Sequence, residues 1–155
     1  MHKVKTNQGQ SLFEVVFAIG IMALVSVAIV SVSTITIRNN IASKNKSLAN
    51  KYVNEGFEWV RYARDNASSW DWFKARAGNV NPKVYCAGVL PPHDWGAEPS
   101  CNQGQDDLIP NTNLYRKVYL LRDGETVVQV KVSVTWTDSQ GAHETNSYTN
   151  YTNWQ

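Results

Sequence analysis

The sequence has few of the side chains that enzymes use for catalysis. It contains three histidines and two cysteines in 155 residues. It has no Gly-x-Ser-x-Gly elbow, no His-Glu-x-x-His pair and no glycine loop of the kind that binds phosphate. Structural zinc sites use about four closely spaced Cys or His ligands, and no such group is present. We therefore predict a protein that is not an enzyme and holds no metal or other cofactor.

Two polar clusters offer weaker alternatives. His93 and Asp94 lie near Cys101 and could assist a nucleophile, although surface residues in a loop are the simpler interpretation. Asp106 and Asp107 could supply oxygen ligands to Ca²⁺, but an acidic pair at an N-terminus or in a turn is the simpler interpretation.

The chain also lacks a large excess of charge of either sign. Its formal charge is +2, and without Lys3 and Lys5 the remaining chain has 13 basic and 13 acidic side chains. A balanced surface gives no electrostatic reason to expect a nucleic acid partner.

Charged residues are missing altogether from residues 15–37. As a helix this stretch would be about 35 Å long, enough to cross a hydrocarbon core of about 30 Å. We predict that it lies in a lipid bilayer, as part of a membrane helix over residues 10–37. The two cysteines, Cys86 and Cys101, lie well beyond it. A disulfide between them would close a loop of about 15 residues, stabilise the fold by about 3 kcal/mol and require an oxidising compartment. Free buried thiols and a metal site remain alternatives.

The segment before the apolar run has an unusual order. Basic residues within 1–9 are followed at once by Gln10, Ser11, Leu12, Phe13 and Glu14. A plain single-pass anchor fits this order but does not explain Glu14. A charge in a membrane helix costs about 2.5–3.5 kcal/mol near the centre unless it is paired. The sequence therefore indicates that Glu14 has a partner.

The run from Gly9 to Glu14 resembles the cleavage site of type IV prepilins. This resemblance implies that a membrane peptidase cuts between Gly9 and Gln10 on the cytoplasmic side and methylates the new terminus at Gln10. It also implies that Glu14, next to Phe13, pairs with the free amine of a neighbouring subunit during filament assembly. Gln10 departs from the Phe of many members, and the helix lacks the proline of many major pilins.

Further expectations follow from this resemblance. The partners would be like or related subunits contacted through the N-terminal helix, the prepilin peptidase, the pilus assembly platform and the bilayer before assembly. The protein would cross the cytoplasmic membrane once, with its N-terminus inside, and then enter an extracellular pilus or pseudopilus. Residues 55–66 also resemble PilV-type minor pilins, which favours a minor subunit.

One feature conflicts with this orientation. Basic residues normally favour the cytoplasmic side, yet Arg38, Lys44, Lys46 and Lys51 follow the apolar run. We keep the orientation because the expected disulfide and the cleavage site both require it.

The helix is expected to continue over residues 38–66 as an amphipathic segment, because apolar residues recur at steps of three and four. Glu58 and Arg61 are spaced for an ion pair on one helix face, as are Arg61 and Asp65. The helix should end near Asn66.

Residues 67–155 are expected to form a globular head. Turn-forming residues predict little regular structure in 67–113. Strands are predicted at Tyr115–Arg122, Val128–Trp136 and His143–Trp154, the first two joined by a turn at Asp123-Gly124. The predicted fold class is α+β and pilin-like, with a long N-terminal helix packed on a C-terminal antiparallel β-meander within 115–154.

The tryptophans fall into two groups. A cluster in the predicted loop could form an exposed adhesive patch or pack inside the protein: Trp70, Trp72 and Phe73. A second group is assigned to the core between helix and sheet: Trp59, Trp136 and Trp154.

The function expected from these patterns is that of a structural subunit, minor in number, of a type IV pilus or related pseudopilus. The alternative is a membrane-anchored protein that binds a ligand or partner outside the cytoplasm without assembling.

Overall fold

The computed structural model describes residues 8–92, 94–95, 101 and 106–153, and their side chains from Leu12 onward. The helices and strands are α1 (Gln8–Asp65), α2 (Trp70–Lys74), β1 (Lys83–Cys86), β2 (Tyr115–Asp123), β3 (Val127–Asp138) and β4 (Gly141–Thr152). The chain divides into two compact units, of which the first ends at Lys44 and the second begins at Asn45.

In the first unit, the described residues 8–44 all belong to α1. No proline interrupts this stretch, so the main-chain hydrogen bonds of the helix run through it without a break. Its apolar side chains are exposed from Leu12 to Ile37. The first unit therefore has no apolar core of its own among the described residues.

The second unit packs the last part of α1 on a four-stranded antiparallel sheet in the order β1-β2-β3-β4. Buried residues of the helix and of alternating strand positions form its core: Ala49, Val53, Val60, Val118, Leu120, Val128, Val130, Val132 and Val134. The long helix on an antiparallel meander confirms the predicted α+β fold. The period of two in β3 arises because alternate side chains of a strand point to opposite faces of the sheet.

Gly56 allows the helix to approach the sheet closely. A β-carbon at this position would lie 2.8 Å from Cγ1 of Val132. Such a separation is shorter than ordinary van der Waals contact, so a side chain at position 56 would force the helix or the strand to shift.

The connection between β2 and β3 follows the turn predicted at Asp123-Gly124. Gly124 has φ 71° between β2 and β3, a left-handed conformation that glycine adopts without steric cost. Between β3 and β4, the Asp138 carboxylate accepts a hydrogen bond from the main-chain N–H of Gln140 at 2.8 Å.

Two short elements lie in the segment for which little regular structure was predicted. The first is α2, where the Ser69 hydroxyl accepts a hydrogen bond from the main-chain N–H of Trp72 at 3.2 Å. This is the usual way in which serine caps a helix. The second is β1, which pairs with β2 from Lys83 opposite Leu120 onward. The loop predicted at Trp70, Trp72 and Phe73 is wrong, because local capping outweighs the turn-forming composition there. The short strand β1 agrees with the sparse regular structure predicted for 67–113.

The cysteine prediction is confirmed. Cys86 and Cys101 form a disulfide at a sequence separation of 15 residues. It links the end of β1 to the segment that precedes β2.

The charged pairs of the helix agree in part with their spacing. Arg61 pairs with Glu58 at 3.2 Å, as predicted. Asp65 instead pairs with Arg64 at 2.7 Å, and α1 ends at this residue, next to the predicted end at Asn66.

Candidate membrane and assembly site

The exposed apolar segment of α1 is the most unusual surface of the described chain. Most of its large side chains, including Phe13, Met22 and Leu24, are more than half exposed. Among the described residues, one helix, α1, is both long enough and apolar enough to cross a membrane. Exposed apolar area of this extent is unfavourable in water, and an apolar environment would stabilise this segment.

The hydroxyl groups in the same segment are satisfied by their own helix. Five side chains donate a hydrogen bond to the main-chain oxygen four residues earlier, at 2.8–2.9 Å: Ser26, Ser31, Ser33, Thr34 and Thr36. In lipid, an unpaired polar group raises the free energy by roughly several kcal/mol, because no water is present to bond it. These bonds allow five polar residues to sit in an otherwise apolar helix at little cost.

Glu14 is the one carboxylate at the start of this apolar surface. It is exposed, and it makes no ion pair or hydrogen bond with any other residue that the structure describes. Phe13 and Phe17 stack beside it with their ring centroids 6.5 Å apart. An unpaired carboxylate next to aromatic and aliphatic side chains is costly in a membrane, and any group that neutralised it there would come from outside the described chain.

A groove of about 420 Å³ runs along one side of the same helix. It is lined by Phe13, Val16, Phe17, Gly20, Ile21 and Leu24. Its floor is Gly20, where an added β-carbon would have no neighbour within 4 Å. The groove can accept an apolar side chain from another helix.

The predicted processing residues lie at the beginning of α1. Gly9 and Gln10 belong to its first turn, and their side chains lie outside the described part of the structure. The first seven residues of the expected leader also lie outside it. The role of the Gly9–Gln10 bond remains a prediction.

In the second unit, Arg116 connects three parts of the fold. Its side chain is only 2% exposed, and it donates hydrogen bonds to the main-chain oxygens of Ala87 at 2.6 Å, Gly88 at 3.3 Å and Tyr52 at 3.2 Å. It also forms an ion pair with Glu55 at 3.3 Å. Burial lowers the pKa of Arg116, while the Glu55 carboxylate opposes that shift.

Sequence analysis did not identify Arg116 as an important residue. The sequence did contain a signal for this residue. Arg116 lies an even number of residues before Val118 and Leu120, so all three lie on the same buried face of β2. A charged residue at an inward position of a strand is uncommon and requires hydrogen-bond partners.

The aromatic residues form a packed cluster around Trp95, inside the disulfide loop. The ring of Trp95 lies 4.6 Å from that of Trp59, 5.1 Å from Tyr85 and 6.5 Å from Trp72. The Arg76 guanidinium covers the Trp72 ring at 3.1 Å. Burial lowers the pKa of Arg76.

The aromatic patch predicted in the loop is largely incorporated into the fold. Phe73 is completely buried, and the Trp70 indole donates a hydrogen bond to the main-chain oxygen of Glu125 at 2.9 Å. Trp72 keeps about a third of its surface exposed, at 37%. Phe73 and most of the Trp70 side chain therefore pack inside the protein, which is the second of the two alternatives predicted for this cluster. Trp136 is buried in the core as predicted, and Trp154 lies outside the described residues.

The Asp106–Asp107 pair, a weaker calcium site predicted from sequence, lies in the described part of the chain. Asp107 is buried and pairs with Lys117 at 3.6 Å. No group of three or more His, Cys, Asp or Glu side chains positioned for a metal occurs among the described residues. His143 stacks on Trp136 with ring centroids 5.3 Å apart and bonds Asp138 at 2.8 Å. His93 lies outside the described residues.

Comparison with known proteins adds no assignment. No protein-family model, curated protein or solved structure matches this chain.

Proposed function

We propose that this chain is a structural subunit of a type IV pilus or a related pseudopilus, held in a membrane by the first part of α1 and assembled through it. The observation that carries the proposal is the uncovered apolar surface from Leu12 to Ile37 with the unpaired Glu14 at its beginning. A helix of this kind is stable in lipid, and equally stable when surrounded by similar helices in a filament.

The proposed mechanism begins with processing. A prepilin peptidase cuts between Gly9 and Gln10 and methylates Gln10, which places a positively charged terminus four residues before Glu14. Within one helix, this amine and the carboxylate lie at opposite ends of a single turn. In a bundle, the amine of one subunit can instead neutralise the Glu14 of its neighbour.

Pairing between subunits would determine the register of assembly. A correctly placed neighbour removes the cost of two charges in an apolar surrounding, whereas a displaced neighbour leaves both unpaired. The groove at Gly20 supports this proposal because it offers a place on the same helix for an apolar side chain of the adjacent subunit.

The first experiment tests processing. The full chain is expressed with a prepilin peptidase, and the mass of the membrane-bound product is measured. We expect the loss of residues 1–9 and the gain of one methyl group at Gln10. A product that still begins with Met1 in the presence of an active peptidase contradicts the proposal.

The second experiment tests assembly. Wild-type protein and Glu14→Ala are produced in a strain with a complete pilus machine, and the amount in sheared filaments is measured. We expect Glu14→Ala to accumulate in the membrane and to be strongly depleted from filaments. Glu58→Ala, which removes an exposed carboxylate of the second unit, is the matched control and should assemble normally.

The alternative function is a membrane-anchored binding protein that does not assemble. Cross-linking of neighbouring copies in sheared filaments distinguishes an assembling pilus subunit from a binding protein that does not assemble. A processed protein that remains uncross-linked in the membrane would favour the alternative.

A further inference from the structure

The charge distribution along α1 changes sharply after the apolar segment. No Asp or Glu occurs between Glu14 and Glu55. The first charged residues after Ile37 are all cations, beginning with Arg38, Lys44 and Lys46. We call residues 38–46 of α1 the basic segment.

The cations of the basic segment are available to an external partner. Arg38, Lys44 and Lys46 are exposed, and none of them makes an ion pair with another residue in the described part of the chain. The positions between them include exposed Asn39, Asn40 and Ser43, whose side chains can also donate hydrogen bonds. The segment thus presents positive charge and hydrogen-bond donors without a competing carboxylate.

The cations lie within reach of the lipid headgroups that would border the apolar segment, because their long stems can extend back toward them. Arg38 directly follows Ile37. At a rise of about 1.5 Å per residue, Lys46 lies about 14 Å beyond Ile37 along the helix. The headgroup region extends about 5–8 Å beyond the hydrocarbon core on each side. Lysine and arginine stems can fold back by several ångströms along the helix toward it.

We propose that the basic segment binds the phosphate groups of anionic phospholipids on the side of the bilayer that follows Ile37. This inference rests on the proposed function only in requiring that α1 crosses a membrane. It accounts for cations on the side where the usual charge rule does not place them, because attraction to anionic headgroups stabilises each one near the surface.

The test uses the full chain in nanodiscs that contain equal amounts of phosphatidylcholine and phosphatidylglycerol. Spin-labelled forms of the two lipids report their relative association with the protein by electron paramagnetic resonance. We expect the wild-type protein to prefer phosphatidylglycerol by about fivefold, which corresponds to the roughly 1 kcal/mol contributed by one cation near an anionic headgroup. High salt should reduce this ratio because it screens exposed charges.

Two variants decide the assignment. The triple variant R38Q/K44Q/K46Q should lower the ratio to nearly one, whereas R38K/K44R/K46R keeps the charges and should retain the wild-type ratio. The inference is overturned if the glutamine variant keeps its preference. It is also overturned if inorganic phosphate abolishes the wild-type preference at equal ionic strength, since the segment would then bind phosphate without regard to lipid.

Failure of this inference differs from failure of the proposed function. A chain that enters the nanodisc but shows no lipid preference overturns only the role of the basic segment. A chain that does not enter the nanodisc contradicts the membrane anchoring on which both proposals depend.

Discussion

The guanidinium of Arg116 on strand β2 donates a hydrogen bond to the main-chain oxygen of Tyr52, within helix α1, at 3.2 Å. The same side chain donates to Ala87 and Gly88, which follow the first cysteine of the disulfide. One buried cation therefore joins the helix, the sheet and the disulfide loop of the second unit.

Replacement of Arg116 by methionine should destabilise the second unit. The variant keeps an unbranched apolar stem but leaves main-chain oxygens without their donor and Glu55 without its partner. We expect the free energy of unfolding to fall by about 2–4 kcal/mol. Urea unfolding of the full chain in detergent, followed by near-ultraviolet circular dichroism, measures this loss.

Arg61→Met is the control for that experiment. Arg61 is also paired with a glutamate on α1, but both side chains are more than half exposed. Its replacement should cost less than about 0.5 kcal/mol. Equal effects of the two substitutions would mean that the buried hydrogen bonds of Arg116 contribute no specific stability.

Removal of the disulfide should weaken the packing around Trp95. The Cys86–Cys101 bond closes a loop with a sequence separation of 15 residues, and we expect the C86S/C101S variant to lose about 3 kcal/mol of stability. The emission of Trp95 should shift to longer wavelength as its contact with Trp59 loosens.

A reducing agent provides the control for this loss. It should lower the stability of the wild-type protein to that of C86S/C101S and leave the double variant unchanged. A wild-type protein whose unfolding curve is the same before and after reduction would contradict the prediction.

The parts of the fold that sequence analysis predicted are those encoded by neighbouring residues. The alternation from Val128 to Trp136 determines which side of β3 is buried, and Asp123-Gly124 determines the turn before it. Both signals lie within a few neighbouring residues, and both determine the structure that is observed. The uncharged apolar run of residues 15–37 likewise predicts a helix, and its large side chains are exposed in the structure.

The parts that were missed depend on distant contacts. A helix as short as α2 is not stable alone. It is held by the hydrogen bond from Trp70 to Glu125 and by the ion pair of Lys74 with Glu125, which lies 51 residues further along the chain. No local pattern contains that partner. At the candidate site, the sequence identifies Glu14, for which the described residues supply no ion pair or hydrogen bond.

Gly56→Ala should destabilise the second unit although alanine favours helices. Alanine gains about 1 kcal/mol in helix propensity, but its β-carbon would lie 2.8 Å from Cγ1 of Val132. Overpacking of a core costs about 1–3 kcal/mol. We expect a net loss of about 1 kcal/mol in the free energy of unfolding, measured by urea denaturation.

A double-mutant cycle identifies the cause of that loss. Val132→Ala removes the colliding methyl groups, so G56A/V132A should be more stable than the sum of the two single effects by about 1 kcal/mol. Gly20→Ala is the control, because an added β-carbon there has no neighbour within 4 Å. If the two single effects are additive, the close approach of helix and strand is not responsible.

Glu144 should make the stability of the sheet depend on acid pH. Its carboxylate accepts hydrogen bonds from Ser133 at 2.7 Å and Asn146 at 3.0 Å. These bonds, with that of Ser133 first, lower the pKa of Glu144 below its usual 4.5, and Lys131 adds to the effect. The unfolded chain therefore takes up a proton more readily than the folded chain as the pH falls.

The sign of the effect follows from this difference in pKa. The stabilisation is fully present above pH 4.5, and it is lost as the pH falls through the lower pKa of the folded state. The urea midpoint of the wild-type protein should therefore decrease from about pH 6 to about pH 3 more steeply than that of Glu144→Gln, which cannot titrate at this position. Ser133→Ala removes the first donor and should give an intermediate slope. Identical slopes for the wild-type protein and Glu144→Gln would show that protonation of this carboxylate does not control the acid stability of the sheet.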